Sequence, residues 1–497
     1  MSSSEQESLN AILGSFDPRA FFTWFPGSIT DYSTAASATS SDEELLRNGT
    51  SVHEYVHFLQ SIGTSYGFSI RGHWWNRLLK TYQTYVTLCK FHFAKNEKVP
   101  FPITEYSRSP IREIREVARI LLSYPGAEVE KARYLPLDLT TRLADLKIVE
   151  LSDSQIPACP TIRVKGTEKP LCGLYLMESH ARMIEESYLR LITQDSERTR
   201  RICEKLSNDD RYKVAFWAFM AFMPKERAIE FFFILDLALN TEVNPVPKSN
   251  EEYILSHPGH RYLALLQSAS RVGSLDVTAH HFASEVRRYQ EELISAAGLR
   301  STLERNQEEL HEMEEVTKKD VDERGFASET DFLRVKALKA RQQFPWIFAH
   351  PALNLESWTW LKSNFACPYY FTEHGLAIDD RYKNEFPPRY FESKFVELDI
   401  ISFASQVLGY RTSKCSKGLM ECGLSYFRVK QLCPYANECP GLFDPLTGFP
   451  FPVVIPADPQ TEIEGCPFGI FLTTRGFDLR SLDLDTGRDQ VTQRHYR

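Results

Sequence analysis

Residues Ser51–Gly63 read SVHEYVHFLQSIG, and the interpretation of the whole sequence depends on this stretch. Its two histidines, His53 and His57, are four residues apart. On an α-helix this spacing places both imidazole rings on one face, one turn apart. Two rings in this arrangement can bind one metal ion through ring nitrogens at about 2.0–2.1 Å. The stretch therefore predicts a helix that carries two ligands of a metal site.

Glu54 lies between the two histidines and completes the pattern His-Glu-x-x-His. In this pattern the carboxylate lies beside the metal, where it can accept a proton from a water molecule that the metal has made more acidic. We therefore predict that His53 and His57 are metal ligands, that Glu54 is the general base, and that the cofactor is one catalytic zinc ion.

The same residues also fit an ordinary helix start. Ser51 as N-cap and Glu54 three residues later would form a capping box, in which each side chain binds a backbone N–H of the other residue. His53 and His57 would then be ordinary helix residues. Capping accounts for Glu54, but it leaves two histidines at metal-binding spacing unexplained.

A catalytic zinc site needs a third protein ligand. The best candidate is Glu178 in GLYLMESHARMIEE, because the apolar residues before it indicate buried surroundings, where a carboxylate needs a partner. The small residue Ala181 on the same face would let this helix approach the histidine helix closely. The alternatives are an ion pair between Glu178 and an arginine, or ligation by His180, Glu185 or Glu186.

These two motifs together resemble the gluzincin group of zinc metallopeptidases. In that group both histidines of the short motif and a later glutamate bind zinc, and the glutamate between the histidines is the general base. The resemblance covers about residues 45–240, and it implies that His53, His57 and Glu178 are ligands and that Glu54 is the base. His57 and Glu178 are 121 residues apart, which is longer than the compact spacing of thermolysin-like members.

Asp236 stands in the otherwise apolar stretch FFFILDLALN, where a charge is costly unless it is paired. Because metal-bound histidines usually donate their second N–H to a carboxylate or carbonyl, we predict that Asp236 holds one of the two rings in place. The alternative is an aspartate that points outward near a helix end. Peptide hydrolysis also needs a donor to the oxyanion. The sequence does not choose among its candidates, which are His257, His260, Tyr262, His280 and His281.

Half of the ten cysteines fall in one C-terminal region, and they are Cys415, Cys422, Cys433, Cys439 and Cys466. Clustered thiolates can hold a structural zinc or an iron–sulfur cluster. No two of these cysteines have Cys-x-x-Cys spacing, and cysteines are also common as buried apolar residues. We favour scattered reduced thiols here, with a second structural metal as the alternative.

The composition indicates a globular protein without a nucleic-acid or membrane partner. Of 497 residues, 42% are hydrophobic and 25% are charged, the net charge is -8, and no long basic stretch occurs. The most apolar region, 214–239, is interrupted by a proline and charged residues, so it predicts two buried helices rather than a membrane span. The N-terminus lacks the pattern of a secretory signal, so a cytoplasmic location is expected.

We expect a mainly α fold, namely a helical metallopeptidase-like core, a long charged helical arm and an irregular Cys-rich α+β C-terminal region. Residues 1–50 are expected to be a flexible polar lead-in, and residues 51–282 the core that contains the metal site. The dense charge of residues 283–343 at helical spacing predicts a solvated helix or helical hairpin. Residues 344–497 are rich in cysteine, proline and aromatic residues, and short strands are expected there.

These predictions describe a cytoplasmic zinc-dependent hydrolase, most simply a metallopeptidase, whose substrate is a peptide or protein. Two alternatives stay open. The protein could be a metallopeptidase-like scaffold that binds a protein partner through residues 283–343, or a conditional proteolytic effector with a single protein target.

Overall fold

The computed structural model describes residues 15–17, 22–24, 37–69, 71–72, 99–101, 149–150, 157–158, 162–163, 170–205, 210–240, 257–367, 369–372, 375–378 and 482–484. Most of these residues are helical, which confirms the mainly α prediction for this part of the chain. Most of the region predicted to be α+β lies outside the described residues, and so does its cysteine cluster.

Ten α-helices occur in the described part of the chain. In chain order they are α1 (Asp42–Gly63), α2 (Gly173–Thr193), α3 (Ser196–Lys205), α4 (Val214–Phe222), α5 (Glu230–Leu239), α6 (Pro258–Ala269), α7 (Phe282–Ala296), α8 (Thr302–Arg324), α9 (Glu329–Gln343) and α10 (Leu355–Asn364). Short 3₁₀ helices at Asp210–Tyr212 and Lys225–Arg227 precede α4 and α5. Two helices, α4 and α5, occur in residues 214–239 as predicted. All residues of α5 are buried, whereas α4 is buried on one face only and exposes Trp217.

The described strands are short. They are β1 (Ser15–Asp17), β2 (Phe22–Trp24), β3 (Val99–Phe101), β4 (Val149–Glu150), β5 (Pro157–Ala158), β6 (Ile162–Arg163), β7 (Pro170–Leu171), β8 (Tyr369–Thr372), β9 (Gly375–Ile378) and β10 (Leu482–Leu484). The pairs β1–β2, β4–β5 and β6–β7 are antiparallel, and β3 pairs with β10 in parallel.

The chain divides into two compact units. One consists of Met1–Gly72, Glu128–Tyr370 and Ile378–Pro387, and it contains all ten of the described helices. The other consists of His73–Ala127, Phe371–Ala377 and Pro388–Arg497, and it contains the β3–β10 pair. The helical unit carries every residue on which the candidate site depends.

Helix α1 begins at Asp42, and its cap lies well before the position predicted near Ser51. The Ser41 hydroxyl accepts from the Glu44 N–H at 3.2 Å, and the Glu44 carboxylate accepts from the Ser41 N–H at 2.6 Å. This capping box binds two N–H groups that would otherwise lack partners at the helix start. Ser51 therefore lies inside the helix, the capping interpretation of Glu54 was wrong, and the predicted boundary at residue 50 falls within α1.

Two arginines from α9 bind the last carbonyl groups of α1, which has no basic residue of its own in its last turn. Arg334 donates to the Ile62 carbonyl at 2.9 Å, and Arg341 donates to the Gly63 carbonyl at 2.6 Å. Each guanidinium also binds a carboxylate from another helix. Arg334 pairs with Glu309 of α8 at 2.7 Å, and Arg341 pairs with Asp236 of α5 at 2.6 and 2.8 Å.

The segment predicted to be a charged arm forms α7, α8 and α9, and α8 and α9 pack against each other. Exposed ion pairs occur along these helices, such as the pair at 2.6 Å between Lys339 of α9 and Glu314 of α8. Other residues of the segment are not solvated. Arg334 of α9 and Tyr289 of α7 are both fully buried. The segment therefore belongs to the same compact unit as α1 and α2.

Among the described helices, none combines the length and the apolar character that crossing a bilayer requires.

Substitution of Asp236 is expected to destabilise the helical unit strongly. Asp236→Ala leaves the buried guanidinium of Arg341 without its carboxylate, which typically lowers the free energy of unfolding by about 3–5 kcal/mol. Glu43→Ala is the matched control, because its pair with Arg47 is exposed on α1 and exposed pairs contribute about 0–1 kcal/mol. Urea denaturation followed by circular dichroism measures both. If Asp236→Ala and Glu43→Ala lowered the urea midpoint by the same small amount, the buried pair would not have this role.

Candidate metal centre

Helices α1 and α2 bring three potential ligand atoms to one point. The Nε2 atoms of His53 and His57 are 3.1 Å apart. The Oε2 atom of Glu178 lies 3.4 Å from Nε2 of His53 and 3.5 Å from Nε2 of His57. His53, His57 and Glu178 thus form a group that could hold a metal ion, as the sequence predicted.

The size of this triangle fits a small tetrahedral cation. Bonds of about 2.0–2.2 Å at tetrahedral angles place neighbouring ligand atoms about 3.3–3.6 Å apart. The three observed separations, 3.1, 3.4 and 3.5 Å, lie at or close to that range. The side chains therefore need only small adjustments to bind such an ion together.

The other nitrogen of each ring faces an acceptor. Nδ1 of His53 lies 3.3 Å from the carboxylate of Glu185, and Nδ1 of His57 lies 2.8 Å from the amide oxygen of Gln60. An acceptor at Nδ1 requires the proton of a neutral ring to be there, which leaves the lone pair on Nε2. If both rings were neutral, they would direct two lone pairs toward the carboxylate of Glu178. The three ligand atoms therefore need either a proton or a cation between them.

A glycine on α1 makes room for the partner of His53. Gly49 lies one turn before His53, and a Cβ atom at this position would lie 3.0 Å from Oε1 of Glu185. That distance is shorter than ordinary van der Waals contact, so a side chain here would displace the carboxylate. Arg182 pairs at 2.9 Å with Oε2 of Glu185, the same oxygen that faces Nδ1 of His53. The sequence analysis did not identify Glu185 in this role, although it lies on the same face of α2 as Glu178.

The buried carboxylates favour a positive charge in their midst. Burial disfavours the protonated ring of His53, but hydrogen bonds to Glu178 and Glu185 outweigh burial and raise the pKa of His53 to about 10. Burial likewise opposes ionisation of Glu178, yet the adjacent rings of His57 and His53 hold the pKa of its carboxyl well below the usual range. Without a metal the site therefore retains a proton, and a cation would take its place.

Glu54 is buried on α1, beside the two rings. Burial raises the pKa of Glu54 to about 7, although the charges of His53 and His57 act in the opposite direction. A carboxyl group whose pKa lies near neutral pH is well matched to accepting and returning a proton. The position of Glu54, next to His53 and one turn before His57, is the one that the predicted motif requires.

The prediction that Asp236 holds a histidine was wrong. Its carboxylate is fully buried, and both of its oxygens bind the guanidinium of Arg341. This also excludes the alternative of an outward-pointing aspartate. The pattern of apolar residues showed that Asp236 needs a partner, but it could not show that the partner lies 105 positions away on α9.

The other candidate ligands have partners of their own. Nε2 of His180 donates to the Ala349 carbonyl at 2.7 Å, and Glu186 pairs with Arg190 on the surface of α2. Of the candidate oxyanion donors, Tyr262 donates its hydroxyl to the Ala215 carbonyl at 2.9 Å.

Tyr212 is an additional aromatic residue at the site. Its ring makes an edge contact with His53, with the ring centroids 5.6 Å apart. Burial raises the pKa of Tyr212, and the charges of Glu178 and Glu54 raise it further, so the hydroxyl keeps its proton. The sequence analysis did not name Tyr212, because nothing in its local pattern DDRYK indicates proximity to α1.

Comparison of the chain with protein-family models, with curated proteins and with solved structures found no match.

Removal of either kind of ligand is expected to abolish metal binding. His57→Ala removes one ligand atom, and Glu178→Gln replaces the carboxylate with a neutral and weaker ligand, so protein purified in zinc-containing buffer should contain far less than one equivalent of metal. Glu186→Gln is the matched control, because it changes a carboxylate of the same helix outside the triangle. Elemental analysis of these three variants beside the wild type measures the effect. Full metal content in His57→Ala would exclude His57 as a ligand.

Proposed function

We propose that this protein is a zinc-dependent hydrolase, and more specifically a metallopeptidase. The observation that carries the proposal is the convergence of His53, His57 and Glu178 within 3.5 Å of one another, with buried Glu54 beside them. Two imidazoles and one carboxylate, with a fourth position left for water or substrate, form a donor set typical of catalytic zinc.

Zinc accounts for the donor set better than calcium or magnesium does. Those two ions prefer oxygen ligands and more of them, whereas here two of the three donors are imidazole nitrogens. The charges also favour a divalent ion. Glu54, Glu178 and Glu185 carry three carboxylates near the rings, and Arg182 balances one of them.

The residues of the chain have distinct roles in this proposal. When bound, zinc supplies a Lewis acid that polarises the scissile carbonyl and acidifies water. Glu54 accepts the proton of the attacking water and passes it to the leaving amine. Glu185 and Gln60 hold the two rings in the required tautomer, and Glu178 contributes the negative ligand.

Tyr212 is the residue we assign to the oxyanion. Its ring lies against His53, and its raised pKa keeps the hydroxyl protonated and able to donate. Such a donor strengthens its hydrogen bond as negative charge develops on the carbonyl oxygen in the transition state.

Glu54→Gln is expected to separate metal binding from catalysis. The amide is nearly the same size but cannot accept the proton, so we expect normal zinc content and a loss of hydrolysis of at least about 100-fold. The assay follows cleavage of a mixture of unstructured peptides by mass spectrometry, with Glu186→Gln as the active control. Cleavage at the wild-type rate by the Glu54→Gln variant would exclude Glu54 as the base.

The wild-type protein in the same assay also tests the alternative of a binding scaffold. Stoichiometric zinc together with no cleavage of any peptide would contradict the proposed peptidase and favour a metal-stabilised scaffold or an effector restricted to one protein target.

Tyr212→Phe is expected to lower kcat by about 10²–10³ and to change KM little, because the lost hydrogen bond is strongest in the transition state. The ring contact with His53 is retained in this variant, so zinc content should be unchanged. Steady-state kinetics on a peptide identified in the mixture provide the measurement. An unchanged kcat would exclude Tyr212 as the oxyanion donor.

A further inference from the structure

The two metal-facing histidines are supported in different ways. Nδ1 of His53 faces the carboxylate of Glu185, whereas Nδ1 of His57 faces the neutral amide of Gln60 at 2.8 Å. An amide side chain can present either its oxygen or its NH₂ group to a ring nitrogen. What determines the orientation of Gln60 therefore also determines the tautomer of His57.

Two further contacts settle the orientation of this amide. Nε2 of Gln60 lies 3.0 Å from the backbone carbonyl of Met177 and 3.2 Å from Nδ1 of His180. A carbonyl oxygen can only accept, so the group that faces Met177 must be the NH₂ group. The amide oxygen then faces His57, which must carry its proton on Nδ1 and leave Nε2 free to bind a metal.

The orientation of His180 is settled in the same way. Its Nε2 lies 2.7 Å from the backbone carbonyl of Ala349 and must donate to it. Its Nδ1 faces the NH₂ group of Gln60 and must therefore accept. The backbone carbonyls of Met177 and Ala349 thus determine the proton positions on His180, Gln60 and His57.

We propose that Gln60 and His180 are positioning residues of the metal centre, which fix the tautomer and orientation of His57 through a one-directional chain of hydrogen bonds that ends at the Ala349 carbonyl. The proposal rests on the proposed zinc site. His57 donates to Gln60, Gln60 donates to His180, and His180 donates to the backbone. In such a chain each bond polarises the next, so loss of one member weakens the others.

The chain has an electrostatic consequence for the ion. A carboxylate that accepts from Nδ1 makes the imidazole a more basic metal ligand and adds negative charge near the ion. An amide orients the ring without adding charge. Support of His57 by Gln60 therefore leaves more positive charge on the ion and favours acidification of its water. Met177, Glu178 and His180 lie on one turn of α2, so the third ligand and the support of His57 come from the same turn.

The test is a double-mutant cycle on zinc affinity in the full-length protein. Gln60→Met keeps the length of the side chain but neither donates nor accepts as the amide does, and His180→Phe keeps an aromatic ring without nitrogen. Competition with a chromophoric chelator should show about 10- to 100-fold weaker zinc binding for Gln60→Met. His180→Phe should show a smaller loss, and the double variant should bind no more weakly than Gln60→Met alone, because His180 acts through Gln60.

Ser61→Ala is the matched control. Ser61 neighbours Gln60 on α1 and donates to the backbone carbonyl of His57 at 2.9 Å, but this bond does not involve the ring. Its affinity for zinc should equal that of the wild type. The proposal would be overturned if Gln60→Met bound zinc as tightly as the wild type. It would also be overturned if the fold-loss in zinc affinity of the double variant equalled the product of the losses in the two single variants.

A second measurement uses the wild-type protein and does not depend on how the variants fold. In the zinc-loaded protein with ¹⁵N-labelled histidine, the NMR spectrum should show His57 protonated at Nδ1 and bound through Nε2. Binding through Nδ1 would overturn the proposal. Both measurements need zinc binding but no turnover, so a protein that shows the expected behaviour and cleaves no peptide would contradict the peptidase function alone.

Discussion

The close approach of α1 to α2 is the constraint on which the candidate metal centre depends. His53 and His57 lie on one helix and Glu178 on the other, so the triangle of ligand atoms exists only if the two helices pack tightly. Gly49 allows this packing on α1, because a side chain there would meet the carboxylate of Glu185. Ala181, a small residue on α2, is fully buried.

The burial of so many polar groups in one helix requires partners for each of them. His53, Glu54 and Gln60 are all largely removed from water on α1, where an unsatisfied polar group typically costs about 1–3 kcal/mol. The structure satisfies His53 and Gln60 with partners from α2, and the last carbonyls of α1 with Arg334 and Arg341. The charged helices therefore stabilise the site although none of their residues belongs to the ligand triangle.

Local spacing explains what the sequence predicted correctly. The four-residue separation of His53 and His57 determines their common face, and the apolar residues before Glu178 indicate its buried position. The start of α1 was ambiguous, because two segments fit the pattern of a capping box. Ser41 and Ser51 each precede a glutamate by three residues, and only the structure shows that the helix begins after Ser41.

Partners that are distant in sequence could not be predicted in this way. Asp236 was recognised as a charge that needs a partner, yet its partner Arg341 lies on another helix, and nothing in the local pattern links them. Gln60 and Glu185 support the two rings, but an amide and one acidic residue among several carry no distinctive signal. The second unit and the cysteines near the C-terminus lie largely outside the residues that the structure describes.

The arginines that bind the end of α1 have a consequence for how the protein is made. Arg334 and Arg341 follow their carbonyl partners in α1 by 272 and 278 positions. During synthesis the N-terminal histidine helix thus leaves the ribosome long before the side chains that complete its C-terminal end. Throughout that interval the last carbonyl groups of α1 lack the two guanidinium groups that bind them in the complete fold.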